Sequence, residues 1–103
     1  MLESVKMSYF GIKVKHRTYG ILVRIHGPLD RFEISPIELE KTSLEFLNSL
    51  EEKFNMLDAS HGLANYVAEN YCNNDTRLWV EVEIDSGSKM ICGSSVAKVD
   101  VAI

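Results

Sequence analysis

Between Tyr9 and His16 the chain alternates, with Phe10, Ile12, Val14 and His16 on one side and Tyr9, Gly11, Lys13 and Lys15 on the other. A period of two marks a half-buried strand. After the link Arg17-Thr18-Tyr19-Gly20 the alternation resumes, Ile21, Val23 and Ile25 against Leu22, Arg24 and His26. The two runs predict a hairpin, ended by Gly27-Pro28. Ser35-Pro36-Ile37-Glu38 then reads as a helix start, with Ser at the N-cap, Pro at the first helical position and Glu closing a capping box. Ile37, Leu44, Leu47, Leu50, Phe54 and Leu57 recur at helical spacing opposite Glu40, Lys41, Glu45, Glu51 and Glu52. This predicts one amphipathic helix of about five turns. Ser60 is a second cap candidate, opening a shorter helix with Leu63, Ala64, Val67, Ala68 and Tyr71 inward and Asn73-Asn74 at its end.

The clearest strand pattern follows: Leu78, Val80, Val82 and Ile84 alternate with Trp79, Glu81, Glu83 and Asp85. Asp85-Ser86-Gly87-Ser88 is turn chemistry. A last extended region runs from Lys89 to Cys92 and from Val96 to Ile103, split at Gly93-Ser94-Ser95 by a bulge or turn. The expected fold is therefore α+β, a single domain over residues 1–103. An antiparallel sheet of four to five strands carries two consecutive helices on one face, in the order ββααββ, because both helices need an apolar surface and the strands offer one.

Composition narrows the function classes. A chain of 103 residues, 46% hydrophobic and 25% charged, has room for one core and leaves self-association open. No apolar run approaches the roughly 20 residues that span a bilayer, and Glu3, Lys6 and Ser8 interrupt the start, so a cytoplasmic location is expected. The net charge of −4 disfavours nonspecific nucleic-acid binding, which depends on Lys and Arg neutralising phosphates. The charge is unevenly placed: residues 1–31 carry six cations against two acids, and the remainder five against thirteen. Cys72 and Cys92 have neither a CxxC nor a Cys/His zinc spacing and read as two reduced thiols, one at a helix end and one near a strand.

The sheet face away from the helices would carry Lys13, Lys15 and Arg24 from the first hairpin and Glu81 and Glu83 from the second. One reading is a solvated face with cross-strand charge pairs. The other is a polar bore: edge strands of neighbouring copies pair, the sheets close into a barrel, and the charged face lies inside a homo-oligomer.

Several short motifs in this order resemble the tunnelling-fold (T-fold) group of pterin and purine enzymes. His26-Gly27-Pro28-Leu29-Asp30 is similar to the Gly-Pro-Leu-Asp-like turn after the second strand of 6-pyruvoyl and 6-carboxy tetrahydropterin synthases. Leu57-Asp58 and Leu63-Ala64 resemble further short stretches of that family. The stretch from Val80 to Ile84, the turn from Ser86 to Gly93 and the tail from Val96 to Ile103 look like the last strands of dihydroneopterin aldolases. The resemblance implies a carboxylate that accepts from the N–H and amino edge of a pterin ring, with Glu83 or Asp85 near the corresponding strand end. It also implies three zinc-binding histidines, and these are not kept. His16 stands where the first could fall, but Arg17-Thr18-Tyr19 replaces the paired motif. Ala59 likewise breaks the Leu-Asp-His motif, with His61 coming later. A catalytic zinc needs three protein ligands and an open position, so the family's three-histidine site is not recognisable here and no cofactor is expected, zinc being the alternative left open.

Three residues are candidates for metal-free acid/base chemistry, His16, Asp58 and His61, provided the fold brings them together. His16 shares the apolar parity of its strand and has a plainer role open to it, a strand-end histidine with one satisfied hydrogen bond. Trp79, an aromatic among charges, is placed with Glu83 and Asp85 as ligand-binding, by stacking on a flat ring, or else anchors a subunit interface. The sequence thus points to a pterin- or purine-binding T-fold-like protein. The alternative is a non-enzymatic interaction module built on a two-layer α+β domain. RNA binding through Lys13, Lys15, Arg17 and Arg24, with Tyr9 and Tyr19 stacking, is a third option that the acidic second hairpin opposes.

Overall fold

The computed structural model describes residues 8–28, 34–50, 54–72 and 77–95. Strands β1 (Ser8–His16) and β2 (Tyr19–Gly27) form the expected hairpin, with Val14 opposite Ile21, Ile12 opposite Val23 and Phe10 opposite Ile25. The link is shorter than the sequence reading allowed. Arg17 takes a left-handed φ of 56°, which lets the chain reverse over Arg17 and Thr18 alone and leaves Tyr19 and Gly20 in β2. Strands β3 (Trp79–Asp85) and β4 (Met90–Ser94) form the second hairpin. Its turn is closed by Asp85 Oδ1, which accepts from the Gly87 N–H at 2.8 Å, and by the Ser86 N–H donating to the Lys89 carbonyl at 2.9 Å.

The four strands are antiparallel in the order β1-β2-β3-β4, and two helices cover one face. This is the α+β architecture that the alternation predicts. Val23, Ile25, Val80, Val82 and Ile84 are fully buried beneath Leu39, Leu47, Leu63, Ala64 and Val67. Each such side chain contributes about 1.5–3 kcal/mol relative to exposure, Ala less.

The helices depart from the sequence reading at their ends. Helix α1 (Pro36–Asn48) begins at the Ser35 cap, whose Oγ accepts from the Glu38 N–H at 3.3 Å, but stops after 13 residues at Ser49. Helix α2 (Met56–Tyr71) starts at Asn55, whose Oδ1 accepts from the Asp58 N–H at 3.0 Å, so Ser60 is not the cap. Ser60 is instead buried inside α2, donating to the Leu57 carbonyl. Phe54 therefore lies in the connection and Leu57 in the second helix. The inward face of α1 is Leu39, Ser43 and Leu47, a strict four-residue spacing, and Ile37 is 77% exposed. Ser43 can sit inside because its hydroxyl is satisfied by the Leu39 carbonyl at 2.8 Å.

Helix α2 lies over β3 and β4, and α1 packs against β1 and α2. The approach of α2 to the sheet requires Gly93: a Cβ there would fall 2.8 Å from the His61 nitrogen and against Ser60 Oγ. Gly93 is accordingly a regular member of β4, paired with Val82, where the sequence suggested a bulge. Leu29 and Asp30, Glu51 and Glu52, Asn73 and Asn74, and the tail from Val96 to Ile103 lie outside the described residues. No helix among the described residues is long and apolar enough to cross a membrane.

Candidate functional site

The sheet register fixes what stands together on the helix-free face. Three cross-strand rows are set by the pairing: Tyr9, His26 and Trp79; then Gly11, Arg24, Glu81 and Ser94; then Lys13, Leu22, Glu83 and Cys92. A fourth row holds Lys15, Gly20, Asp85 and Met90. Successive rows on this face are two residues apart, about 7 Å along the strands.

The second and third rows share an ion-pair network. Arg24 Nε donates to Glu81 Oε1 at 3.2 Å and Arg24 Nη2 to Glu83 Oε2 at 2.6 Å. Burial alone would lower the Arg24 pKa, but hydrogen bonding to Glu83 and the charges of Glu81 and Glu83 outweigh it and hold the guanidinium above its ordinary value. This is the cross-strand pairing that the sequence allowed for. The Cys92 thiol, close to both carboxylates, is pushed up by burial first, then by the charges of Glu83 and Glu81, against a smaller opposing pull from Arg24. Glu81, Glu83 and Cys92 bring one donor atom each within 4.8 Å of one another. Arg24 already occupies the space between the carboxylates, with a hydrogen bond to one oxygen of each, so the trio stands around a guanidinium.

The first row is a stack of rings. His26 lies 4.1 Å from Trp79 at an interplanar angle of 10°, and Tyr9 lies 5.6 Å from His26, tilted by 42°. His26 Nε2 is 2.9 Å from Glu81 Oε1, so the imidazole is anchored to the same carboxylate as Arg24. Trp79 and Tyr9 stay 37% and 62% exposed.

Over the third and fourth rows the face opens into a trough of about 370 Å³. Its floor is Gly20 and Leu22, its walls are Lys13 and Lys15 on one side and Glu83 and Asp85 on the other, and Met90 on β4 adds to the lining beyond Asp85. A Cβ at Gly20 would meet nothing within 4 Å, so the missing side chain there is open space. One oxygen of each carboxylate is engaged, Glu83 Oε2 by Arg24 and Asp85 Oδ1 by Gly87. The other oxygen of each has no hydrogen bond among the described residues.

The sequence-predicted residues divide accordingly. Glu83 and Asp85 stand together in the trough. Trp79 shares their face but lies six residues up β3 from Asp85, about 20 Å away. His16 is 4% exposed on the opposite, helix-covered face, with Nε2 2.9 Å from Asn48 Oδ1 and its ring stacked on Phe54 at 5.3 Å. His61 sits in the second turn of α2, its Nδ1 3.3 Å from the Ser94 carbonyl. His61 touches Ser94, which shares a cross-strand row with Gly11, so His16 and His61 are separated by three strand spacings across the described sheet, about 14 Å, and by about 17 Å along the strands. Asp58 is exposed in the first turn of α2. The acid/base trio is thus not gathered into one site. The sequence puts Lys13 and Lys15 on this face but does not set them across from Glu83 and Asp85, and it does not single out Gly20, Leu22 or Met90, because only the strand register gathers these residues. In comparisons with known proteins, the chain matches no family model, no curated protein and no solved structure.

Proposed function

We propose that the protein binds a small planar heterocycle of the pterin or purine class in the trough over Gly20 and Leu22, and does so as a T-fold-like subunit whose sheet continues into neighbouring copies at its edges. The observation that carries this reading is the pairing of Glu83 and Asp85 over an apolar floor in a space of about 370 Å³. A ring lies against Leu22 while its N–H edge meets carboxylate oxygens that have no other donor among the described residues. His16 stands far from Asp58 and His61, which are neighbours three residues apart on α2, so the three do not form one acid/base centre, and this favours binding as the reading. The element order and the helices on one sheet face accord with the T-fold resemblance.

The test is calorimetric titration with neopterin, guanosine and uridine. Neopterin or guanosine should bind and uridine should not. Asp85→Asn should weaken binding at least tenfold while leaving the thermal midpoint in place, because the amide oxygen still accepts from the Gly87 N–H. Failure of both neopterin and guanosine to bind sinks the reading. Light scattering tests the assembly separately, and a strict monomer at micromolar concentration removes the continued sheet.

A second reading, an interaction module without enzymatic activity, is favoured by the exposed rings of Tyr9 and Trp79 at the far end of the same face. Aromatic side chains anchored by a neighbouring polar network are the usual hot spots of a protein contact. Under this reading, Trp79→Ala abolishes partner capture and leaves heterocycle binding untouched.

A further inference from the structure

We infer that the open edge of β1 takes an extended segment of a partner protein, paired antiparallel as a further strand of the sheet, with acidic side chains opposite Lys13 and Lys15 and apolar ones opposite Ile12 and Phe10. This goes beyond the heterocycle site proposed above and does not depend on it.

The two lysines lack what the neighbouring cation has. On a solvated sheet face, charged residues are stabilised by opposite charges directly across the strand pair. Arg24 has Glu81 opposite and reaches Glu83 in the next row. Lys13 faces Leu22 and Lys15 faces Gly20, and neither ammonium forms an ion pair among the described residues. Strand β1 is an outer strand of the described sheet, so the other cross-strand position belongs to whatever pairs with its open edge.

The backbone at that edge is turned outward at the same residues. The Ser95 N–H donates to the Val80 carbonyl at 2.8 Å, so β3 directs the backbone groups of Val80, Val82 and Ile84 to β4 and those of Glu81, Glu83 and Asp85 to β2. Carried through the register, this alternation points the N–H and C=O groups of Tyr9, Gly11, Lys13 and Lys15 to the open side. A strand bonded there sets its own Cα atoms about 5.5 Å from those of Lys13 and Lys15.

The opposite face of β1 adds the second half of the pattern. Phe10 and Ile12 pack on the core but stay partly exposed. A segment that alternates acidic and apolar residues covers them while its acids meet the lysines. Strand β3 shows that this sheet accepts such a segment, since Glu81-Val82-Glu83-Ile84-Asp85 alternates in that way beside Arg24. A neighbouring copy meets the lysines less well: β4 puts Met90, Cys92 and Ser94 on the open face, and a second β1 brings further lysines. The same two side chains thus deter a like strand and select an acidic one.

Fluorescence anisotropy at low ionic strength tests this with three end-labelled peptides: Glu-Val-Glu-Val-Thr-Val-Thr, its charge-reversed counterpart Lys-Val-Lys-Val-Thr-Val-Thr, and the shuffled Glu-Glu-Val-Val-Val-Thr-Thr. The alternating acidic peptide should bind at least tenfold tighter than either of the others, and its lead over the lysine peptide should shrink as salt is added. In the Lys13→Glu/Lys15→Glu double variant the order should reverse, with the lysine peptide the tighter, an outcome that a misfolded variant does not produce. Hydrogen exchange at saturating acidic peptide should slow at least tenfold for the amides of Tyr9, Gly11, Lys13 and Lys15, and stay unchanged for Ile12 and Val14. Equal binding of the shuffled peptide, an acidic preference retained by the double variant, or no binding at all overturns the proposal. Slow exchange of those four amides in the protein alone, growing with its concentration, assigns the edge to a second copy and likewise overturns it. None of these outcomes bears on the binding of neopterin or guanosine, which is tested separately.

Discussion

His16 and Asn48, 32 residues apart, join the end of β1 to the last turn of α1 through a 2.9 Å hydrogen bond from Nε2 to Oδ1. An amide oxygen only accepts, so Nε2 carries the proton and Nδ1 the lone pair. Nδ1 is buried and has no hydrogen-bond partner among the described residues. A histidine held by one hydrogen bond, with its other nitrogen unmet and its ring on Phe54, clamps the hairpin to the helix. Asn48→Ala should cost about 1–3 kcal/mol, the penalty for stranding a buried donor. His16→Phe keeps the stack, removes the orphaned nitrogen and releases an exposed amide to water, so it should cost less than Asn48→Ala. Urea denaturation of the two variants decides the order.

Gly93 is the contact point of α2 on the sheet. Gly93→Ala forces a methyl group against Ser60 and the backbone nitrogen of His61, neither of which is the far end of a flexible chain. The expected loss is about 1–3 kcal/mol. For a domain of this size each kcal/mol lowers the thermal midpoint by roughly 4–8 °C. Gly20→Ala, on the open face, should leave the midpoint nearly unchanged, and scanning calorimetry of the pair distinguishes a packing requirement from a general intolerance of substitution.

Trp79 is the one tryptophan of the chain, and its ring lies 4.1 Å from that of His26. A ring stacked face to face on the indole shields it from water, so removing it should shift the emission maximum of Trp79 to longer wavelength. His26→Ala should show that shift and more quenching by iodide, with the fold intact. An unchanged spectrum in His26→Ala would show that another group governs Trp79.

Cys92 reports on the charge of the cluster. Its raised pKa means that less thiolate is present at a given alkaline pH than for an ordinary thiol, and thiolate is the reacting form. Alkylation of Cys92 by iodoacetamide at pH 8 should therefore be slower than that of a free thiol, while Cys72, 3% exposed, stays protected. Glu83→Gln removes the larger of the two opposing charges and should speed the reaction. Arg24→Met removes the nearby cation and should slow it. Peptide mass spectrometry over a time course separates the two cysteines.

Much of the fold was legible because two-residue alternation is a local property. Val80, Val82 and Ile84 face inward as their spacing says, and the Ser35-Pro36 cap works as its chemistry says. The helix ends were less legible. Ile37 and Leu39 are both apolar at the start of α1, and which one faces inward depends on where the helix sits over the sheet. Leu39 wins because Ser43 and Leu47 follow it at four-residue spacing. Asn55 was overlooked as a cap because Phe54 and Leu57 continue the apolar pattern across the break.

The sequence by itself determined the order of elements, the apolar face of each strand and the presence of Glu83 and Asp85 on the polar face, since strand geometry fixes which side a residue takes. Tertiary structure decided which polar residues meet. The pairing of β2 with β3 spans more than 50 residues of chain. That register gives Arg24 to Glu81 and Glu83 and leaves Lys13 and Lys15 facing an uncharged floor. It also places His16 and His61 at opposite edges of the described sheet. Neighbourhood across strands is a consequence of register, and register is set by the packing of the whole core and not by any local stretch of chain.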